Sequence, residues 1–285
     1  MYQTLIDAPS LLALQGEVCL LDCSHQLTDL AWGRAQYAAG HLPGAQFASL
    51  EEALSAPKTG HNGRHPLPER ARFADTVAQW GITPQTQVVA YDSAGGMYAA
   101  RLWWMLRWIG HQAVAVLDGG VAAWLAAGGS LTTELPRVTA AAPYPLQDAE
   151  EPIRVEAVLA NLQQPTFVVL DARAPGRFAG EGETMDPVGG HIPGARNHFF
   201  QNNLQADGRF KPAVELRQQF EQVLAGVAPA QLVHQCGSGV TACHNLLAMT
   251  HAGLPGSRLY AGSWSEWCSD PSRPVATGSA TGSAT

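Results

Sequence analysis

The chain has 285 residues, 46% of them hydrophobic and 14% charged, with a formal net charge of −7. That length suits about two domains of roughly 100–200 residues, and the composition is that of a globular chain with ample core. The acidic balance argues against nucleic acid and anionic membrane as partners, since both demand a basic face. No apolar run approaches the roughly 18 residues of a membrane span.

Residues 1–15 carry no basic n-region, so no signal peptide is expected. Strands are predicted over 18–22, 87–91 and 113–117, and again over 166–170, 231–235 and 258–260. Between them Leu102, Met105, Leu106 and Ile109 recur at helical spacing within 96–109, and a similar pattern over 241–251 ends at Gly253 and Pro255. Apolar strands alternating with helices predict an α/β fold of parallel sheets flanked by helices on both faces. Ligands of such sheets bind beyond the carboxyl ends of the strands. The stretch 131–152 is rich in Ala, Thr and Pro, and 276–285 holds only Ala, Thr, Gly and Ser. Two domains are therefore expected, at 1–135 and 152–272, with a linker at 136–151 and a disordered tail at 273–285. Five cysteines, an odd and small number, argue against a disulfide framework and for a reducing cytoplasm.

The chain is written twice. Leu20-Leu21-Asp22-Cys23-Ser24 followed by Gly40-His41-Leu42-Pro43-Gly44-Ala45 returns as Val169-Leu170-Asp171-Ala172-Arg173 followed by Gly190-His191-Ile192-Pro193-Gly194-Ala195. The run ending at Asp92 matches the run ending at Cys236, and Leu117-Asp118-Gly119-Gly120 leading to Trp124 matches Tyr260-Ala261-Gly262-Ser263 leading to Trp267. Four blocks in one order at nearly constant offset indicate two copies of one domain.

The strongest chemical signal is Cys236-Gly237-Ser238-Gly239-Val240-Thr241, between a predicted strand and a predicted helix. Backbone N–H groups of a tight loop and the positive end of a helix stabilise a thiolate. Gly237 and Gly239 are expected to supply the backbone angles, and Ser238 and Thr241 hydroxyl donors. A cysteine phosphatase would place an arginine six residues after its cysteine to grip phosphate; here that residue is Ala242. Cys19, Cys23, Cys243 and Cys268 read as structural. Asp92, at the matching position of the first copy, offers no thiolate and suits a helix cap. His41 and His191 occupy duplicated Pro-Gly turns and read as structural. His61 and His65 lack the clustered cysteines or carboxylates of a metal site, so no metal is expected. Trp103, Trp104 and Trp108 are expected to pack their helix.

The doubled Gly-His-[Leu/Ile]-Pro-Gly-Ala motif, the cysteine loop and Gly262-Ser263-Trp264-Ser265-Glu266-Trp267 together resemble the two-domain rhodanese sulfurtransferases over roughly residues 3–270. The loop is similar to that of the 3-mercaptopyruvate branch; the thiosulfate branch typically carries charged residues after its cysteine. The resemblance implies that Cys236 takes a sulfane sulfur as a persulfide, from 3-mercaptopyruvate first and thiosulfate second. The sulfur then passes to a thiol, cyanide or a thioredoxin-like acceptor, or is held for a partner by a non-enzymatic persulfide carrier. It implies a silent first domain and no cofactor. It assigns Arg177 to the donor's carboxylate or sulfonate, with Gly237, Gly239, Val240 and Thr241 lining the loop. It also implies that His65, from the first domain, joins Ser238 and an acid, Glu51, in a triad. Members often carry a second arginine in the next segment, but residues 183–188 here hold none.

Overall fold

The computed structural model describes residues 1–14 and 16–279. They form two units: Met1–Ala56 with Leu67–Glu151 and Gln205–Phe210, and Pro57–Pro66 with Pro152–Leu204 and the described residues from Lys211 to 279. The segment Pro57–Pro66, expected inside the first domain, thus groups with the second unit, and His65 with it.

The first unit runs β1 (Leu5–Ile6), α1 (Ala8–Ala13), β2 (Val18–Asp22), α2 (Trp32–Ala39), β3 (Gln46–Phe47), α3 (Arg70–Gln79), β4 (Gln87–Tyr91), α4 (Ala99–Trp108), β5 (Val114–Leu117) and α5 (Gly120–Ala126). Its sheet is parallel throughout, in the order β1-β5-β4-β2-β3. The central β4 reads Gln-Val-Val-Ala-Tyr and is buried from Val88 to Tyr91, as a parallel strand covered on both faces must be. Trp103, from α4, is buried and its Nε1 donates to Gln3 O at 2.8 Å. The expected linker packs on this same unit: Ala141 N–H donates to Ala78 O at 2.8 Å, and the Tyr144 hydroxyl lies 2.8 Å from His111 Nδ1.

The second unit holds α6 (Val155–Asn161), β6 (Val168–Asp171), α7 (Pro175–Ala179), β7 (Arg196–Asn197), α8 (Ala213–Leu224), β8 (Leu232–Gln235), α9 (Thr241–His251), β9 (Arg258–Leu259) and α10 (Ser263–Trp267). Its sheet is again parallel, in the order β7-β6-β8-β9. The helix α9 is buried continuously from Ala242 to Met249, which is why its sequence lacks a polar face. The two polar side chains it buries are satisfied. Asn203 Nδ2 donates to Asn245 Oδ1 at 2.7 Å and lies 3.1 Å from His244 Nδ1, and Asn245 Nδ2 donates to His198 O at 3.0 Å. This network pins α9 to the short 3-10 turn Phe200–Asn203. No helix among the described residues is long and apolar enough to cross a membrane.

The Gly-His-[Leu/Ile]-Pro-Gly turns are structural twins. His41 Nδ1 contacts Tyr37 O at 2.7 Å while its ring stacks on Tyr37; His191 Nδ1 contacts Phe178 O at 2.8 Å while its ring stacks on Phe178. His41 bridges to Thr132 and His191 to Ala276. Trp267 Nε1 donates to Pro274 O at 2.9 Å, and Gly278 N–H to Ala179 O at 2.9 Å. Residues 273–278, expected as disordered tail, are therefore held on the second unit by these bonds; 280–285 lie outside the described residues.

Two strand expectations, 18–22 and 87–91, coincide with β2 and β4, and 241–251 with α9. The helix expected over 96–109 begins only at Ala99, because the preceding residues wrap around Asp92.

His234, on β8, is fully buried with Nε2 3.1 Å from Ser257 Oγ, and burial pushes its pKa down to about 3. An unfolded histidine takes up its proton near pH 6.5. Between those values the unfolded chain binds the extra proton, so His234 favours folding above about pH 6.5 and that favour is lost as the pH falls. Each such histidine changes stability by up to about 1.4 kcal/mol per pH unit. Denaturant unfolding at pH 7 and pH 5 is expected to show the acid loss, and a smaller one in His234→Gln; equal slopes would rule His234 out as its source.

Candidate active site

Cys236 follows β8 directly and is 2% exposed. As an interior strand, β8 fixes where the sulfur lies, and α9 starts five residues later with no side-chain cap. The first N–H groups of α9, and the positive end of its dipole, are thus turned to the loop. Gly239 N–H donates to Cys236 Sγ at 3.2 Å. Gly239 has φ +77°, and a Cβ there would lie 2.3 Å from Ala261 O. Gly237 differs from expectation, since its backbone is not left-handed. What favours a glycine there is room for the arginine ends: a Cβ would lie 2.8 Å from Arg64 Nη2, with Arg177 Nη1 at 3.6 Å.

The first turn of α10 holds the loop from the other side. Trp264 N–H donates to Cys236 O at 2.9 Å and Ser265 N–H to Gly237 O at 3.0 Å. Cys236 N–H donates to Ser263 Oγ at 3.0 Å, and that hydroxyl donates to Tyr260 O at 3.0 Å. Ser263 adopts φ +55°, one of two non-glycine residues with positive φ among those described. Its twin in the first unit, Gly120, has the same φ of +55°. A serine in that conformation is strained by about 1 kcal/mol or more, and here its hydroxyl satisfies the backbone N–H of Cys236. The motif marked this segment, but only the contrast with Gly120 signals the role of the hydroxyl.

Ser238 is buried, and its Oγ lies 2.7 Å from His65 Nδ1. The structure thus brings His65 and Ser238 together within the second unit, while Glu51 belongs to the first. Val240 precedes α9 and Thr241 opens it. His61 is exposed.

Two arginines stand over Gly237. Arg177, on α7, is gripped by Glu183, whose carboxylate accepts from Nε at 2.9 Å and Nη2 at 3.0 Å. Asp186 Oδ2 accepts from Arg177 Nη2 at 3.0 Å, and its Oδ1 from Arg64 Nη1. The segment 183–188, which lacks an arginine, is thereby a carboxylate mount for Arg177 and for Arg64. Burial raises the Asp186 carboxyl, opposed by Arg64 and Arg177 and reinforced by Glu183. For Glu183 burial also acts upward, but the Arg177 hydrogen bonds and the N–H groups of Met185 and Asp186 outweigh it and hold the carboxyl below its ordinary value. Sequence alone does not bring Arg64 to this segment, since 122 residues separate it from Asp186.

In the first unit the matching strand end carries Asp92, whose carboxylate accepts four backbone N–H groups: Ala94 at 2.8 Å and Gly96 at 2.9 Å on Oδ1, Tyr98 at 2.8 Å and Ala99 at 2.9 Å on Oδ2. Where one loop leaves an N–H for a sulfur, the other fills its cradle with its own side chain.

Residues 7–127 and 154–270 both match the rhodanese-like domain family. The chain is 50% identical over 264 residues to a probable 3-mercaptopyruvate sulfurtransferase of Pseudomonas aeruginosa, covering 92% of this chain and 93% of that one. It is 40% identical over 253 residues to the thiosulfate sulfurtransferase of Cricetulus griseus, covering 87% and 84%. Among solved structures, 3-mercaptopyruvate sulfurtransferase from Leishmania major superposes with a TM-score of 0.84 at 32% identity, covering 93% of this chain and 74% of that one. With both halves matched, and the same pair of parallel-sheet units built from them, the chain belongs to the rhodanese family of sulfurtransferases.

Proposed function

We propose that the second unit moves a sulfane sulfur through a persulfide on Cys236, with 3-mercaptopyruvate as first donor and thiosulfate as second. The observation that carries this reading is the placement of Cys236 Sγ at an interior strand end, with an N–H at 3.2 Å and two guanidinium groups around the next residue. In the first half-reaction the Cys236 thiolate attacks the donor sulfur. With mercaptopyruvate the carbon–sulfur bond breaks, the electron pair passes to carbon as an enolate, and the persulfide S–H returns a proton to give pyruvate. With thiosulfate the sulfur–sulfur bond breaks and sulfite leaves with the pair. Either way the product is Cys236–S–S⁻, whose outer sulfur a thiol, cyanide or a thioredoxin-like protein removes.

In this mechanism Arg177 and Arg64 grip the donor's carboxylate or sulfonate, the fork geometry suiting both. The Ser238 hydroxyl, oriented by His65, polarises the mercaptopyruvate carbonyl. Asp92 leaves the first unit silent. The five cysteines form no disulfide, which fits action in a reducing compartment such as the cytoplasm.

The test is direct. Purified protein is incubated with each donor and assayed for thiocyanate after cyanide, and by intact mass for one added sulfur atom on Cys236. Thiocyanate from mercaptopyruvate with a higher kcat/KM than from thiosulfate is the expected result. A higher value for thiosulfate would reverse the donor order, and no product from either donor would refute the reading.

A further inference from the structure

The arginine pair over Gly237 is backed by an equal number of acids. The side chains of Asp186 and Glu183 are 2% and 5% exposed, whereas those of Arg64 and Arg177 are each 25% exposed. The carboxylates occupy Arg64 Nη1 and Arg177 Nε and Nη2. The nitrogens nearest the Gly237 Cβ position, Arg64 Nη2 at 2.8 Å and Arg177 Nη1 at 3.6 Å, are different ones. Arg173 comes within 4.0 Å of Glu183, but it is buried and its guanidinium is bound to Asp171 by Nη2 at 2.6 Å and Nε at 3.0 Å. The site therefore offers N–H donors in a fixed fork while the formal charges of its four members cancel.

Such a site treats single and double anions differently. Directional hydrogen bonds serve a carboxylate and a sulfonate alike. A second charge on the ligand adds attraction only if the site carries net positive charge, yet it must still be stripped of more water to enter. Cancelled charge therefore favours the singly charged donor.

We infer that Asp186 is a specificity-determining residue: by neutralising Arg64 and Arg177 it tunes the Cys236 loop to a singly charged sulfur donor and against a doubly charged one. The inference rests on the reading of that loop as the sulfur-transfer site, and it makes Asp186 a positioning residue that acts through the two arginines.

The experiment compares kcat/KM for 3-mercaptopyruvate, a monoanion, and thiosulfate, a dianion, with cyanide as acceptor. Asp186→Asn removes the charge and is expected to raise the thiosulfate-to-mercaptopyruvate ratio by about tenfold or more. Asp186→Glu, which keeps the charge, is expected to leave the ratio within about threefold. Arg64→Gln, at a partly exposed position, removes the opposite charge and should lower the ratio. In a second arm the whole protein carrying Cys236→Ser, with and without Asp186→Asn, is titrated calorimetrically with inorganic sulfate and with pyruvate. Asp186→Asn should raise affinity for sulfate relative to pyruvate. Because this arm needs no turnover, an enzyme that transferred no sulfur would refute the proposed function without deciding the role of Asp186. A parallel loss on both donors, an equal shift in the Asn and Glu variants, or sulfate and pyruvate affinities that move together would overturn the inference.

Discussion

Cys236→Ser is expected to reduce sulfur transfer by at least about 10³-fold with either donor, while the unfolding temperature stays within about 3 °C of the parent. The large effect has a chemical origin. An alcohol at this position is not ionised near neutral pH, and its oxygen cannot carry the outer sulfur as a persulfide does. The small effect has a structural one. Serine has nearly the same shape, Cys236 sits at a strand end with its backbone N–H bound to Ser263 and its carbonyl bound to Trp264, and neither bond involves the sulfur. Gly239 N–H, which donates to the sulfur, can donate equally to an oxygen. Thiocyanate assay, intact mass after exposure to donor, and a thermal melt read the three quantities separately. Retained turnover in the serine variant would remove Cys236 from the mechanism.

Gly239→Ala is expected to damage both stability and turnover. The residue has φ +77°, where an alanine costs about 1 kcal/mol, and its new methyl would stand 2.3 Å from a backbone oxygen, that of Ala261. Backbone cannot swing aside as a side-chain end can, so either the loop or the strand-to-helix turn at 260–263 must move. The combined cost is about 3 kcal/mol or more, equivalent to a fall of roughly 10 °C in the unfolding transition of the second unit. Any relaxation also carries the Gly239 N–H away from Cys236 Sγ, so turnover falls even in the folded fraction. Gly237→Ala offers the contrast. Its methyl meets the ends of the Arg64 and Arg177 side chains, which can withdraw, so the fold is spared and donor binding takes the loss. Differential scanning calorimetry with donor KM values separates the two; a Gly239→Ala protein with parental melting and turnover would show that the loop does not depend on this conformation.

What could be read from the amino-acid sequence was what is local or written twice. The strands 18–22 and 87–91 and the helix 241–251 announce themselves by apolar runs bounded by turn residues, and the repeat gave the architecture. The cysteine loop was legible because strand, small residues and helix are contiguous. Features that depend on distant residues were not. Arg64 meets Asp186 across 122 residues, and the His65–Ser238 bond spans 173; the resemblance points to the second pair, whereas an ion pair is conceivable for Arg64 but its partner is not legible. The segment 183–188 looked like a missing arginine and proved to be a mount for one supplied from elsewhere. Gly237 reads from sequence as a conformational glycine, but a glycine can also be favoured by what stands above it, and sequence does not distinguish the two reasons. The buried Asn203–His244–Asn245 network left a fainter mark, two polar residues in an otherwise apolar helix.

The carboxylate of Asp92 behaves as a ligand that the first unit carries permanently tethered to its own backbone. Four N–H groups close on its two oxygens within 2.9 Å, and a tethered ligand cannot be outcompeted by any concentration of free anion. A thiolate loop in the first unit is thus not one substitution away. Asp92→Cys would place one sulfur where two oxygens had satisfied four donors, in a loop that reaches its helix at Ala99, seven residues on, against five from Cys236 to Thr241. Of the two copies, the one without a cysteine at this strand end carries an internal plug, and exchanging Asp92 for a single thiol would leave part of the four-donor cradle unsatisfied.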